Sequence, residues 1–233
     1  MLLCAALVLA LVIGCAAYVG DYYHASGDAV AAIAGTQAVT VRQTDEGTVF
    51  LPENPTAGFI FYPGGKVEYT AYAPLMLELA QRDVLCVLVR MPFNLAVLDV
   101  NAAAGIPEQF PEIGNWYIGG HSLGGSMAAS FASKNADDFQ GLALLAAYST
   151  ADLTQTGLKV ISLYGSEDGV LNREKYESDR ENLPEDTAET VIEGGNHAGF
   201  GSYGAQDGDG DAQISAQEQT RITAELLTEF FAG

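Results

Sequence analysis

The stretch WYIGGHSLGGSMAAS, residues Trp116–Ser130, begins as an apolar, β-rich run and ends as an alanine-rich run typical of a helix. Ser122 lies at the junction, so the sequence predicts a tight strand-to-helix turn with this serine at its apex. Gly120 and Gly124 flank the serine at positions where a side chain would collide with neighbouring backbone in such a turn. Unpaired N–H groups at the start of a helix also favour negative charge developing beside the serine. The stretch therefore predicts a nucleophilic serine.

Apolar β-rich runs alternate with helical patterns along most of the chain, which is typical of repeated βαβ units. The runs Val84–Val89 and Leu142–Ala146 are apolar throughout, and a strand tolerates this only where helices cover both faces of its sheet. The sequence therefore predicts an α/β fold with a mostly parallel central sheet, opened by a hairpin over residues 39–52. Among the helical patterns we include the alanine-rich segment 98–110.

Two candidate partners for Ser122 follow later runs that are predicted to be strands. Asp168 comes just after VISLYG, and His197 comes just after the next β-rich run, in EGGNH. The chain order Ser, Asp, His is the order that a strand-to-helix elbow of this kind requires. His197 would remove the proton of Ser122, and Asp168 would orient the imidazole and stabilise its charged form. The sequence thus predicts a catalytic triad.

Other acids and histidines compete less well for these roles. Glu167 precedes Asp168 within the same turn, and Asp152 follows the strand one earlier, too far from the last loop. His121 is next to the nucleophile and is expected to point away from it, and His24 lies far from any predicted strand end.

An acyl-transfer site also needs N–H donors for the oxygen that becomes negatively charged. The backbone N–H of Leu123, directly after the nucleophile, is the first expected donor. The second is expected from the early turn Pro63-Gly64-Gly65, either from the N–H of Gly65 or from that of Lys66. No cofactor and no catalytic metal are expected for this chemistry.

The amino-terminal segment, residues 1–20, is apolar and carries no charge, and Leu2–Val19 is just long enough to cross a hydrocarbon core as a helix. We expect an anchor that places the protein on the extracytoplasmic face of a membrane. The alternative is a secreted protein or lipoprotein, because VIGC ending at Cys15 resembles a bacterial lipidation and cleavage site. Residues 21–38 are then a tether, and residues 39–233 form the globular domain.

The composition excludes one class of partner. The chain of 233 residues carries 30 Asp and Glu against 10 Lys and Arg, a formal net charge of −20. Such a charge repels phosphate backbones and anionic lipid headgroups, so nucleic acid is not an expected partner. Membrane contact is expected through the amino-terminal segment only, and oligomeric state is left open.

An acidic segment, Asp207–Glu218, partly matches a calcium-binding loop, with acidic residues at positions one, three, five and twelve. Ala212 stands where the sharp turn of such a loop needs glycine, and no helical pattern precedes the segment. The alternative is structural, with Ser215 and Glu218 as a capping box for the last helix. The sequence leaves both interpretations open.

Taken together, these motifs resemble the α/β-hydrolases, specifically the small capless branch related to dienelactone hydrolases, over about residues 39–233. The resemblance rests on YPGG, VRMPFNLAVLD, GGHSLGG, YGSEDGV and EGGNHAGFGSYG. It implies the α/β-hydrolase fold, with Ser122, Asp168 and His197 as the triad. A cysteine-nucleophile hydrolase of that branch would carry cysteine at position 122, so the serine favours esters over dienelactones as substrates.

The short segment 148–159 between two predicted strands leaves no room for a helical lid, so an open site and small-molecule esters are expected. The leading hypothesis is a serine hydrolase that cleaves carboxylic esters through an acyl-enzyme intermediate. One alternative is an amidase or peptidase that uses the same triad. Another is a non-catalytic, membrane-anchored binding module that retains the hydrolase fold.

Overall fold

A computed structural model describes residues 2–233, without the side chains of residues 2–8, 10 and 16. Eight strands form one sheet in the order β1-β2-β4-β3-β5-β6-β7-β8. β2 runs antiparallel to β1 and β4, and the remaining neighbours pair in parallel. The mostly parallel sheet and its opening hairpin are as predicted. The strands are β1 Val39–Gln43, β2 Gly47–Pro52, β3 Ala57–Tyr62, β4 Val84–Val89, β5 Trp116–His121, β6 Gly141–Leu145, β7 Lys159–Gly165 and β8 Ala188–Ile192.

Helices cover both faces of this sheet, α3 and α6 on one and α4 on the other. The helices are α1 Leu2–Gly20, whose described side chains are mostly exposed, α2 Gly27–Ala32, α3 Ala73–Ala80, α4 Leu123–Ala132, α5 Arg173–Ser178 and α6 Ala216–Ala232. Alternate residues of β4 enter two separate cores. Cys86 and Leu88 pack on the side of α3 and α6, whereas Leu85 and Val87 pack on the side of α4. β4 is thus apolar throughout because both of its faces are covered, as the sequence predicted.

One predicted helix is absent from the described part of the chain. Residues 98–110 form turns, with only a short 3-10 helix at Pro107–Gln109. Gly105 adopts a left-handed φ of 76°. Pro107, two residues later, has no backbone N–H and therefore cannot donate the hydrogen bond that a continuing helix requires. These two residues override the helix propensity of the three alanines before them.

The segment 21–38 packs against the domain and is not a free tether. Ala29 of α2 is fully buried, and α2 lies against α3. The Ser26 N–H donates to the Ser202 carbonyl at 2.8 Å, and Tyr23 forms a β-bridge with Val67. Segment 21–38 is therefore bound to the loop that follows β3 and to the loop that carries Ser202.

No helix among the residues whose side chains are described is long and apolar enough to cross a bilayer. Half of the residues of the predicted anchor, Leu2–Val19, lie outside that described set, and the anchor stays a prediction.

Candidate active site

Ser122 occupies a sharp turn between β5 and α4. Its φ of 52° and ψ of −125° lie in a region that costs a non-glycine residue about 1–3 kcal/mol. The Ser122 N–H donates to the Leu145 carbonyl at 2.9 Å, and its carbonyl accepts from the Ser126 N–H at 3.2 Å. The strained residue is thus held from both sides, by the neighbouring strand and by the first turn of the helix.

The glycines around this turn are required for close backbone contacts. A Cβ at Gly120 would lie 2.5 Å from the Tyr62 carbonyl oxygen. A Cβ at Gly124 would overlap the carbonyl oxygens of both Tyr62 and Pro63. Because the obstructing atoms are backbone, they cannot swing aside, and the turn after β3 is pressed directly against the start of α4.

We expect Gly124→Ala to lower the free energy of unfolding by about 3 kcal/mol, because either α4 or the turn after β3 must shift to admit the methyl group. The control is Gly114→Ala, where an added Cβ meets no atom within 4 Å and φ is not positive. Urea unfolding of both variants measures the difference. Equal midpoints would show that the turn does not need the glycine.

His197 and Asp168 lie together at the ends of β8 and β7. The distance from His197 Nδ1 to Asp168 Oδ2 is 2.9 Å, and both side chains are buried. The second oxygen of Asp168 accepts the N–H groups of Val170 at 2.9 Å and Leu171 at 2.8 Å. Burial by itself would raise the pKa of Asp168, but the hydrogen bond and charge of His197 and these two N–H groups lower it overall. Asp168 is therefore ionised at neutral pH.

The ionised carboxylate determines the tautomer of His197. A carboxylate only accepts hydrogen bonds, so Nδ1 of His197 carries a proton, and in the neutral ring Nε2 then keeps a lone pair. Nε2 is buried and has no hydrogen-bond partner among the described residues. It is therefore free to receive a proton.

Ser122 and His197 line one cavity of about 220 Å³. No hydrogen bond joins the Ser122 hydroxyl to His197 among the described contacts, and such bonds are often long before substrate binds. The structure thus brings Ser122 and His197 to the same cavity, and Asp168 reaches the site through its bond to His197. Its other lining residues are Leu123, Ser126, Ala146, Ala147, Tyr148, Val170, Leu171 and Asn172.

Of the expected oxyanion donors, Leu123 and Gly65 lie side by side. Leu123 is the first residue of α4, so its N–H has no partner within the helix. A Cβ at Gly65 would lie 2.8 Å from Leu123 Cδ2. The alternative donor, the Lys66 N–H, is already bonded to the Asn94 carbonyl at 2.8 Å. The Lys66 N–H is therefore not available to the substrate oxygen, so the prediction of Lys66 as an oxyanion donor is corrected. Gly65 remains the expected second donor.

The region behind the site contains a network that the sequence did not indicate. The Tyr72 hydroxyl accepts the Gly64 N–H at 3.0 Å and lies 2.8 Å from His121 Nδ1. The His121 ring is buried and is not among the residues that line the cavity of Ser122, and its centroid lies 4.4 Å from that of His197. Burial, with the nearby His197, lowers the pKa of His121 well below its usual range. A neutral His121 thus packs against His197, and Tyr72 links it to the turn after β3.

The rival acids have other partners. Glu167 Oε1 accepts from Ser166 and Gln213, and Asp152 is exposed and accepts only from Thr154.

In the part of the chain that the structure describes, the acidic segment included, no group of three or more His, Cys, Asp or Glu residues is placed to hold an ion. The Asp209 carboxylate accepts backbone N–H groups instead. At the start of α6, Ser215 Oγ accepts the Glu218 N–H at 3.1 Å, which is one half of the predicted capping box, whereas the Glu218 carboxylate accepts from Arg221.

Comparison with known proteins agrees with this architecture. Residues 58–221 match the alpha/beta hydrolase family, and the chain belongs to that family. No curated protein matches the sequence.

Solved structures share the fold at low sequence identity. Naproxen esterase (carboxylesterase NP) from Bacillus subtilis is 12% identical with a TM-score of 0.60, covering 88% of this chain and 94% of that one. Dienelactone hydrolase from Anabaena variabilis is 12% identical with a TM-score of 0.60, covering 84% and 98% respectively. Est1E from Butyrivibrio proteoclasticus, solved with ferulic acid, is 12% identical with a TM-score of 0.58, also covering 84% and 98%. The shared fold is thus that of hydrolases.

Proposed function

We propose that this hydrolase cleaves carboxylic esters with Ser122 as nucleophile, His197 as general base and Asp168 as the residue that orients His197. One observation carries the proposal. His197 Nδ1 is bonded to the buried, ionised carboxylate of Asp168, and the unpartnered Nε2 of the same ring belongs to a residue that lines the cavity of the strained Ser122. The esterases among the structural neighbours support the same chemistry by likeness of fold.

The proposed reaction has two stages. Ser122 Oγ attacks the ester carbonyl while His197 Nε2 takes its proton, and the oxyanion accepts the N–H groups of Leu123 and Gly65. The imidazolium, stabilised by Asp168, then gives its proton to the departing alcohol. In the second stage His197 deprotonates a water molecule, which attacks the acyl-enzyme. The imidazolium then returns this proton to Ser122 Oγ as the acyl–Oγ bond breaks, which releases the carboxylic acid and regenerates Ser122.

The size and lining of the cavity limit the acyl group. At about 220 Å³ it is smaller than sites for drug-sized ligands, which begin near roughly 300 Å³. Leu171, Val170 and the methyl groups of Ala146 and Ala147 give it an apolar part. Two to four carbons of acyl chain fit this description, and the connection between β6 and β7 contains no helix among the described residues that could enclose a longer one.

We expect kcat/KM for p-nitrophenyl esters to be highest for acetate to butyrate and to fall by about tenfold or more for octanoate, because the longer chain must leave apolar carbons in water. The matched p-nitroanilides separate ester from amide cleavage, and their turnover is expected to be at least about 100-fold slower. Rates that rise with chain length would contradict the short-chain proposal. Anilide rates equal to the ester rates would favour the amidase.

A further inference from the structure

We propose that Asp209 is a positioning residue for the reaction proposed above: its carboxylate holds the loop that carries Asp168 and the loop that carries His197 in the relative position at which their hydrogen bond forms. The inference rests on that proposed function for its kinetic consequences, but its structural content can be tested separately.

The Asp209 carboxylate contacts both loops at their tips. Its Oδ1 accepts the N–H of Gly169, the residue after Asp168, at 3.1 Å, and the N–H of His197 itself at 3.2 Å. Its Oδ2 accepts the N–H of Ala198 at 2.8 Å. A further bond, from the Gly210 N–H to Oδ1 at 2.9 Å, fixes the carboxylate relative to its own backbone. One side chain therefore satisfies donors next to both members of the His–Asp pair.

The two loops are also joined at their bases, where the Glu167 N–H donates to the Gly195 carbonyl at 2.8 Å. That contact aligns the strand ends but precedes Asp168 in its loop. Asp209 adds the second point of attachment, beyond Asp168, and two points are needed to fix how the loops are rotated relative to each other. The other direct bonds between the loops, from the Ser166 N–H to the Ile192 carbonyl and from the Gly194 N–H to Ser166 Oγ, also precede Asp168, so without Asp209 none of these bonds fixes the loops beyond it.

The segment around Asp209 lies directly on the backbone of the acid loop. A Cβ at Gly169 would lie 2.6 Å from the Gly208 carbonyl oxygen, and a Cβ at Gly210 would overlap the Glu167 carbonyl oxygen. Within this calcium-like segment, close backbone packing thus explains Gly210, and the bonds of its carboxylate to N–H groups explain Asp209.

The negative charge of Asp209 matters because charge-assisted hydrogen bonds are about twice as strong as neutral ones. An asparagine in place of Asp209 has the same shape, but its NH₂ group would replace one of the two accepting oxygens and would face N–H donors. Either the Ala198 N–H or the donors on Oδ1 would then lose their acceptor. The His197 loop is expected to move away, which lengthens its bond to Asp168.

The test compares Asp209→Asn with Asp207→Asn, which makes the same charge change at an exposed carboxyl two residues away. With p-nitrophenyl butyrate we expect kcat to fall by about 30- to 100-fold in Asp209→Asn with KM within twofold, because small displacements of the reacting groups cost about this much. Asp207→Asn is expected to stay within twofold in both constants. Tyr176→Phe, which removes the buried hydroxyl bonded to Ser162 and Glu189, controls for lost stability and should keep its kcat.

A proton NMR measurement gives a readout that needs no substrate. The His197 Nδ1–H shared with Asp168 should give a far-downfield resonance in the wild type, in Asp207→Asn and in Tyr176→Phe, and this resonance should be weakened or lost in Asp209→Asn. A kcat within threefold of wild type, or an unchanged resonance, would overturn the positioning role. Failure of the wild type to cleave esters would contradict the proposed function alone, and the resonance would still decide the role of Asp209.

Asp209→Glu serves as the second variant if Asp209→Asn does not fold, since it keeps the charge and the acceptor sites. Its additional methylene displaces the two loops, so kcat should fall at least about fivefold with KM unchanged. An unchanged kcat in this folded variant would equally overturn the proposal.

Discussion

Ser122→Ala is expected to lower kcat for p-nitrophenyl butyrate by about 10⁵-fold, to a residual rate set by binding and by the N–H donors. The hydroxyl is the atom that forms the acyl bond in the proposed reaction, and no other group can replace it. Steady-state rates measured with the purified variant, together with its circular dichroism spectrum, separate loss of chemistry from loss of fold. The strained φ of 52° remains with alanine, so the stability should change little.

Ser133→Ala is the matched control for this substitution. Ser133 caps the carboxyl end of the same helix and bonds to the Ser130 carbonyl at 3.0 Å, away from the cavity. It should keep at least half of the wild-type activity. Undiminished turnover in Ser122→Ala would assign the hydrolysis to another residue or to a contaminant.

Asp168→Asn is expected to lower kcat by about 10⁴-fold with the fold intact. Its amide oxygen can still accept from Val170 and Leu171, so its NH₂ group faces His197 Nδ1 as a donor. The imidazole then carries its proton on Nε2 and cannot accept one from Ser122. The pre-steady-state rate of p-nitrophenol release measures this step directly.

Two further substitutions test whether the acid is assigned to the right residue. Asp152→Asn and Glu167→Gln remove the competing carboxylates, neither of which bonds to His197, and each should retain most of the activity. If Glu167→Gln abolished turnover while Asp168→Asn kept more than a tenth of it, the assignment would be wrong.

The sheet could be predicted because its pattern is local. Strands that are apolar on both faces, such as β4, indicate a covered parallel sheet whatever their exact neighbours. The segment 98–110 shows where this fails: three alanines indicate a helix, but Gly105 and Pro107 make turns instead.

The placement of Ser122, Asp168 and His197 at one end of the sheet follows from the positions of strand ends, which the sequence shows. The contribution of Tyr72 could not be found in this way, because its hydroxyl bonds to Gly64 and to a histidine 49 residues away. Asp209 stood out only as part of a calcium-like pattern, since the backbone N–H groups that it accepts have no sequence signature. The choice between Gly65 and Lys66 likewise depended on a partner, Asn94, that lies in a distant loop.

A fluorophosphonate probe, with peptide mapping by mass spectrometry, shows whether His197 activates Ser122. We expect a single phosphonyl adduct on Ser122 in the wild type, formed at least about 100-fold more slowly in His197→Ala. An adduct on a different residue, or labelling of Ser122 at the same rate without His197, would contradict it.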